Sequence, residues 1–180
     1  MSANKNVLLE EWRTPFGIPP FDRIQITDYL PAFDAALQRH NNEIDAIVQN
    51  PEAPTFENTV EALEFSGAQL ERIGRAFYAI ASAHTTDEVR AIESKVTPRL
   101  AAHSSAIFTR ADLFRKIQAV HDVQPLGLNA EQRKLLQEHY SSFVRSGANL
   151  PETERKEIVW LDEELSRLED RKSTRLNSSH

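Results

Sequence analysis

Cysteine is absent from this 180-residue chain, which excludes a disulfide framework, a thiolate metal site and a cysteine nucleophile, and permits a reducing compartment. Any chemistry must come from His, Asp, Glu, Ser, Tyr or Lys. No apolar run approaches the roughly 18 residues that a membrane span requires. The opening MSANKNVLLEEW carries no apolar core of the signal-peptide kind. A soluble, cytoplasmic chain with no membrane partner is therefore expected. Basic charge is also scarce, with 21 Lys and Arg against 27 Asp and Glu and a formal net charge of −6. Because affinity for phosphate backbones rests on clustered cations, nucleic acid is not an expected partner.

Catalytic motifs are missing too. The sequence contains no H-E-x-x-H, no G-x-x-x-x-G-K-[ST], no G-x-G-x-x-G and no G-x-S-x-G. Its six histidines stand at 40, 84, 103, 121, 139 and 180, with no two at i, i+4 on one helix face. Each reads singly as a boundary residue. His103 shares a stripe with Leu100 and Ile107, and His139 precedes Phe143 by four, so both fit the edge of a core. A site built from them would have to be assembled across helices. Glu152, Glu154 and Glu157 mix with Arg155 and Lys156 near a helix start, and Asp162, Glu163 and Glu164 face Arg167, which describes a solvated, salt-bridged surface. No catalytic, cofactor-binding or metal-binding residue is assigned to this chain.

What is present is helical periodicity. Residues 1–26 read as an extended Pro-rich strap, because Trp12–Asp22 packs three of the nine prolines and one of the five glycines into eleven residues. Trp12, Phe16 and Phe21 suggest that it lies over a helical surface. The body, 27–169, reads as six helices in antiparallel pairs and no strand, an all-α fold. Thr27 caps a first helix to about Gln49, and Thr55 opens a second running to about Ala83. Gly67 and Gly74 lie inside that second helix, where their spacing suggests close approach by a neighbouring helix, with a functional kink as the alternative. Thr85-x-x-Glu88 and Asn129-x-x-Gln132 read as capping boxes, Pro98 is expected to bend the third helix, and Gly147 stops the fifth. Pro151 starts a last helix with the seam Ile158, Leu161, Leu165 and Leu168.

The end of the chain has a different character. Residues 170–180, DRKSTRLNSSH, lack periodicity and resemble the in-frame translation of a sequencing-library adapter; the alternative is a natural disordered tail. Leaving them out gives 18 cations and 26 acids, a net charge of −8. On the adapter reading the reading frame was cut and the chain is the front of a longer protein.

Five segments carry a family resemblance: WRTPFGIPPFD at 12–22, DYLPAF at 28–33, NPEAPTFENTVEAL at 50–63, PRLAAH at 98–103 and SFVRSGANL at 142–150. Together they resemble the N-terminal part of the thimet-oligopeptidase family of zinc metallopeptidases, nearest its peptidyl-dipeptidase and oligopeptidase A branch. The resemblance covers nearly all of residues 7–169. It implies a two-lobed helical enzyme enclosing a deep channel that cleaves oligopeptides, with zinc held by a motif helix and a downstream Glu in the other half of the protein. No position of this chain matches those ligands. The expected partners are thus oligopeptides, for the whole enzyme, and the missing C-terminal half. A different class of reading is a stand-alone, non-catalytic helical module that binds a peptide or protein.

Overall fold

A computed structural model describes residues 6–123 and 127–151, and beyond them Thr153, Glu154, Glu157, Trp160, Leu161, Glu164, Leu165 and Leu168. Every regular element among the described residues is helical, so the fold is all-α. The chain divides into two compact units, Met1–Ser104 and Ser105–His180, the boundary falling inside a helix.

In the first unit α1 spans Tyr29–Gln49 and buries Tyr29, Ala32, Phe33, Ala36, Leu37, Ile44 and Ile47, the i, i+3/i+4 stripe of an amphipathic helix. Its start differs from the expectation. Thr27 lies within a short 3₁₀ turn, Ile26–Asp28, whose own start is closed by the Asp28 carboxylate accepting the Gln25 N–H at 2.8 Å, and α1 follows it with no side-chain cap. The second helix is not continuous. A π-helical turn, Phe56–Glu61, is opened by reciprocal bonds between Thr55 and Asn58 and leads into α2, Ala62–Phe65. The chain then breaks at Ser66–Gly67 and resumes as α3, Ala68–Ala83, with Gly67 in the left-handed region at φ 71°. α4, Asp87–Phe108, runs unbroken through Pro98. Its cap is Thr86, whose Oγ1 accepts the Val89 N–H at 3.2 Å, and not Thr85, whose hydroxyl donates back to the Ala81 carbonyl.

The core of this unit gathers Tyr29, Phe33, Ala36, Ile73, Ala76, Phe77, Val89 and Val96, and Leu8 from the N-terminal segment completes it at 0% exposure. Edge-to-face rings, Tyr29 on Phe77 at 5.2 Å and Phe33 on Phe77 at 5.7 Å, fix α1 against α3. The strap is less extended than its prolines suggest, since it contains two 3₁₀ turns, Val7–Leu9 and Pro15–Gly17. Leu8 and Trp12 anchor it. Phe16, expected to pack with the other aromatics, is instead fully exposed at φ 59°.

In the second unit α5, Ala111–Val123, packs on α6, Ala130–Arg145. Leu113, Phe114, Ile117, Val120, Leu136 and Phe143 supply the interior. The Asn129–Gln132 capping box forms as expected, with bonds of 3.0 and 2.9 Å in the two directions. α6 stops as expected at Gly147, φ 78°, where the Ala148 N–H reaches the Phe143 carbonyl and the Gly147 N–H that of Val144. The described residues from Thr153 to Leu168 are helical, and Trp160, Leu161, Leu165 and Leu168 are exposed. Ile158, the remaining member of the expected seam, and residues 170–180 lie outside the described residues.

Candidate functional site

The most organised polar cluster sits where α1, the Ser66–Gly67 bend and α4 meet. His40 projects from α1 and His103 from α4, and His103 Nε2 lies 2.9 Å from His40 Nδ1. The rings meet edge-on with centroids 4.9 Å apart. On its far side His40 Nε2 is 3.1 Å from Ser66 Oγ, and Ser66 Oγ donates to the Leu63 carbonyl at 2.7 Å. The His40 ring also presses on Gly67: a Cβ at that position would lie 2.7 Å from the ring. That contact and the positive φ both demand glycine there. Gly74, by contrast, has nothing within 4 Å of a built Cβ, so the expected close approach occurs at Gly67 alone and is made by a side chain.

Glu43, one turn along α1, fastens the same bend by accepting the Gly67 N–H at 2.8 Å and pairing with Arg39 at 2.9 Å. Burial works against the Glu43 charge, but the Gly67 and Arg39 bonds outweigh it and hold the carboxyl below its ordinary range. Burial lowers the affinity of His40 for a proton; the neighbouring His103 adds to this and Glu43 partly offsets it. Burial alone lowers His103.

A second feature is a cleft of about 400 Å³ between the strap and α3, walled by Trp12, Pro19 and Phe21 and floored by Ala68, Ala76 and Ala79. Arg72 stands in it with its guanidinium 4.5 Å from the Trp12 ring and donates to the carbonyls of Leu8 (3.3 Å) and Glu10 (2.8 Å). These bonds tie the strap down. Arg72 therefore has a structural task already.

The other histidines do not converge. His84 is exposed at the end of α3; His121 stacks on Tyr140 at 3.9 Å; His139 is half-buried on α6; His180 lies outside the described residues. Glu154 and Glu157 are exposed and Glu164 half-buried, whereas Glu152, Arg155, Lys156, Asp162, Glu163 and Arg167 lie outside the described residues. Among the described residues no three His, Asp or Glu side chains gather as a metal site would require. The facing nitrogens of His40 and His103 bond to each other. These residues do not fit the zinc that the family resemblance implies.

What the chain can be is decided by its relatives. It is 38% identical over 172 residues to a dipeptidyl carboxypeptidase of Salmonella typhimurium, a match covering 95% of this chain and 25% of that protein. The dipeptidyl carboxypeptidase of Escherichia coli is 34% identical over the same length and coverage. Its homologues are members of the thimet-oligopeptidase family, and the chain corresponds to their N-terminal part. Oligopeptidase A of Escherichia coli is a more distant member, 25% identical over 156 residues and 86% of this chain. No family model matches the chain. It spans about a quarter of the length of these curated relatives, and the quarter it matches is the first. No helix among the described residues is long and apolar enough to cross a membrane.

The segments singled out for the resemblance now have structural work. PTFENT forms the π-helical turn and its cap, PPFD walls the cleft, and PRLAAH carries His103. The His40–His103 pair went unseen because its partners are 63 positions apart and only the parallel course of α1 and α4 brings them together. One signal was available: Gly67 within an otherwise helical pattern marks a break.

Proposed function

We propose that this chain contributes the N-terminal helical part of a cytoplasmic, zinc-dependent oligopeptidase or peptidyl-dipeptidase. In this reading it forms part of the wall of a substrate channel and leaves catalysis to residues beyond it. The observation that carries the reading is the 38% identity to a dipeptidyl carboxypeptidase over 95% of the chain. A helical wall selects by size: a narrow channel admits extended peptides and excludes folded proteins.

Trp160, Leu161, Leu165 and Leu168, each helical and exposed, favour this reading over a self-sufficient binding module, because large apolar side chains left on the surface call for a covering partner. The test is a chimaera in which residues 7–169 replace the matched first quarter of the Salmonella enzyme. Release of dipeptides that chelation abolishes is expected. A soluble chimaera, helical by circular dichroism, that releases none overturns the proposal, as does cleavage that survives complete metal removal.

A further inference from the structure

The hydrogen bonds at the bend have a fixed direction, set by their last member. The Leu63 carbonyl can only accept, so the single Ser66 hydroxyl proton points to it. Ser66 Oγ must then accept from His40, which places the His40 proton on Nε2 and leaves Nδ1 bare. The bare Nδ1 accepts from His103, whose proton is therefore also on Nε2. The chain reads His103 to His40 to Ser66 to Leu63, one proton per link. It joins α4 and α1 to the break between α2 and α3.

We propose that His103, His40 and Ser66 act as a proton-operated latch, closed until both imidazoles are protonated and then released, that fastens α1 and α4 to the Ser66–Gly67 bend. The first proton taken up can be shared. Arriving at Nδ1 of the half-buried His103, it lets the Nε2 proton cross to His40 Nδ1, and the N–H···N bond persists with its direction reversed. A second proton sets N–H against N–H at 2.9 Å, so the bond is lost and two cations meet.

Few charges on the surrounding elements offset this. On α1 Glu43 is committed to Arg39 and the Gly67 N–H, and Asp34 to Arg99 of α4; on α3 Glu71 pairs with Arg75; on α2 Glu64 is exposed. Only Glu43 favours the charged form of His40, and burial with His103 outweighs it. The sign follows from linkage. Both folded histidines hold protons less tightly than the ordinary value of 6.5, so the unfolded chain binds protons first as pH falls. Stability contributed by the latch is complete above about pH 6.5 and is lost as pH drops through the depressed folded values.

The inference does not depend on the peptidase reading and is tested on the 180-residue chain itself. Urea unfolding at pH 7.5, 6.5, 6.0 and 5.5 compares the native sequence with His103→Gln, whose amide keeps a donor to His40 but cannot titrate. Each extra proton bound on unfolding raises the unfolding constant by up to about tenfold per pH unit. The native chain should lose stability below pH 6.5 more steeply than the variant, by up to that factor. Equal slopes overturn the proposal. Nitrogen-15 NMR of the histidine rings supplies an independent measurement if the variant does not fold. Both rings should be Nε2-protonated at pH 7.5 and should titrate below the free-imidazole range. A His40 ring protonated at Nδ1, or two independent titrations at the ordinary value, also overturns it.

Discussion

The two units of this chain are fastened in different ways. In Met1–Ser104 polar bonds connect residues far apart in sequence: His40 with His103, Gly67 with Glu43, Arg72 with Leu8 and Glu10, and Asn6 with the Asp28 carbonyl at 2.7 Å. In the second unit Asn129 with Gln132 and Arg110 with Asp112 are local, one long contact of 3.4 Å joins His121 Nε2 of α5 to Gln137 Oε1 of α6, and aromatic packing makes the main crossing between helices. Phe143 meets Phe108 at 5.1 Å and Phe114 at 6.0 Å, and Tyr140 meets Phe114 at 5.7 Å. Non-directional burial tolerates small shifts, whereas a hydrogen-bonded junction holds one geometry or fails. The first unit is consequently the one whose stability should respond to protons and to single backbone changes.

The largest expected effects test the aromatic interiors. Phe77→Ala and Phe143→Ala each remove a fully buried ring and should cost about 3–5 kcal/mol. Hydrogen exchange should show each loss concentrated in its own unit. A loss spread equally over both would mean that the units unfold as one. Next come the glycines. Gly67→Ala forces a Cβ into the His40 ring at a positive φ and should cost about 2 kcal/mol. Gly74→Ala sits in open space within α3 and should stabilise by about 0.5–1 kcal/mol. Denaturant midpoints that move the same way for both would refute the contrast drawn between these positions. Smaller again, Asn129→Ala deletes a local cap and should cost about 1 kcal/mol, with no change in the pH dependence of the first unit. The smallest effect belongs to Arg99→Ala, which breaks a half-exposed pair with Asp34 and should shift the midpoint by less than about 1 kcal/mol, less still in high salt.

The same contrast explains what could be read without coordinates. The Asn129 cap, the Gly147 stop and the stripes of α5 and α6 are determined by residues within one or two turns, so their patterns are visible in the letters. The break at Ser66–Gly67 is not, because Leu63, Leu70, Ile73 and Phe77 keep helical spacing straight across it. What stops the helix is a ring from α1 and a carboxylate from Glu43, both more than twenty positions away. Thr85-x-x-Glu88 has the letters of a capping box, but the turn that ends α3 takes the Thr85 hydroxyl and leaves the cap to Thr86. Leu8 was hidden by its setting in a polar, helix-poor opening. The family resemblance was legible in segments whose oddness had no packing rationale.

Phe16 stands fully exposed on a left-handed turn, next to Gly17 and four residues beyond the anchored Trp12. An aromatic presented in that way is what chymotrypsin takes in its specificity pocket. A single nick there would turn the first sixteen residues into a separate peptide. Leu8 in the core, Trp12 under the Arg72 guanidinium, the carbonyls of Leu8, Leu9 and Glu10 held by Arg72 and Gln69, and Asn6 on the Asp28 carbonyl would then retain it without a covalent link. Whether that peptide stays bound after cutting would measure the grip of the strap as an affinity, in the absence of any covalent tether.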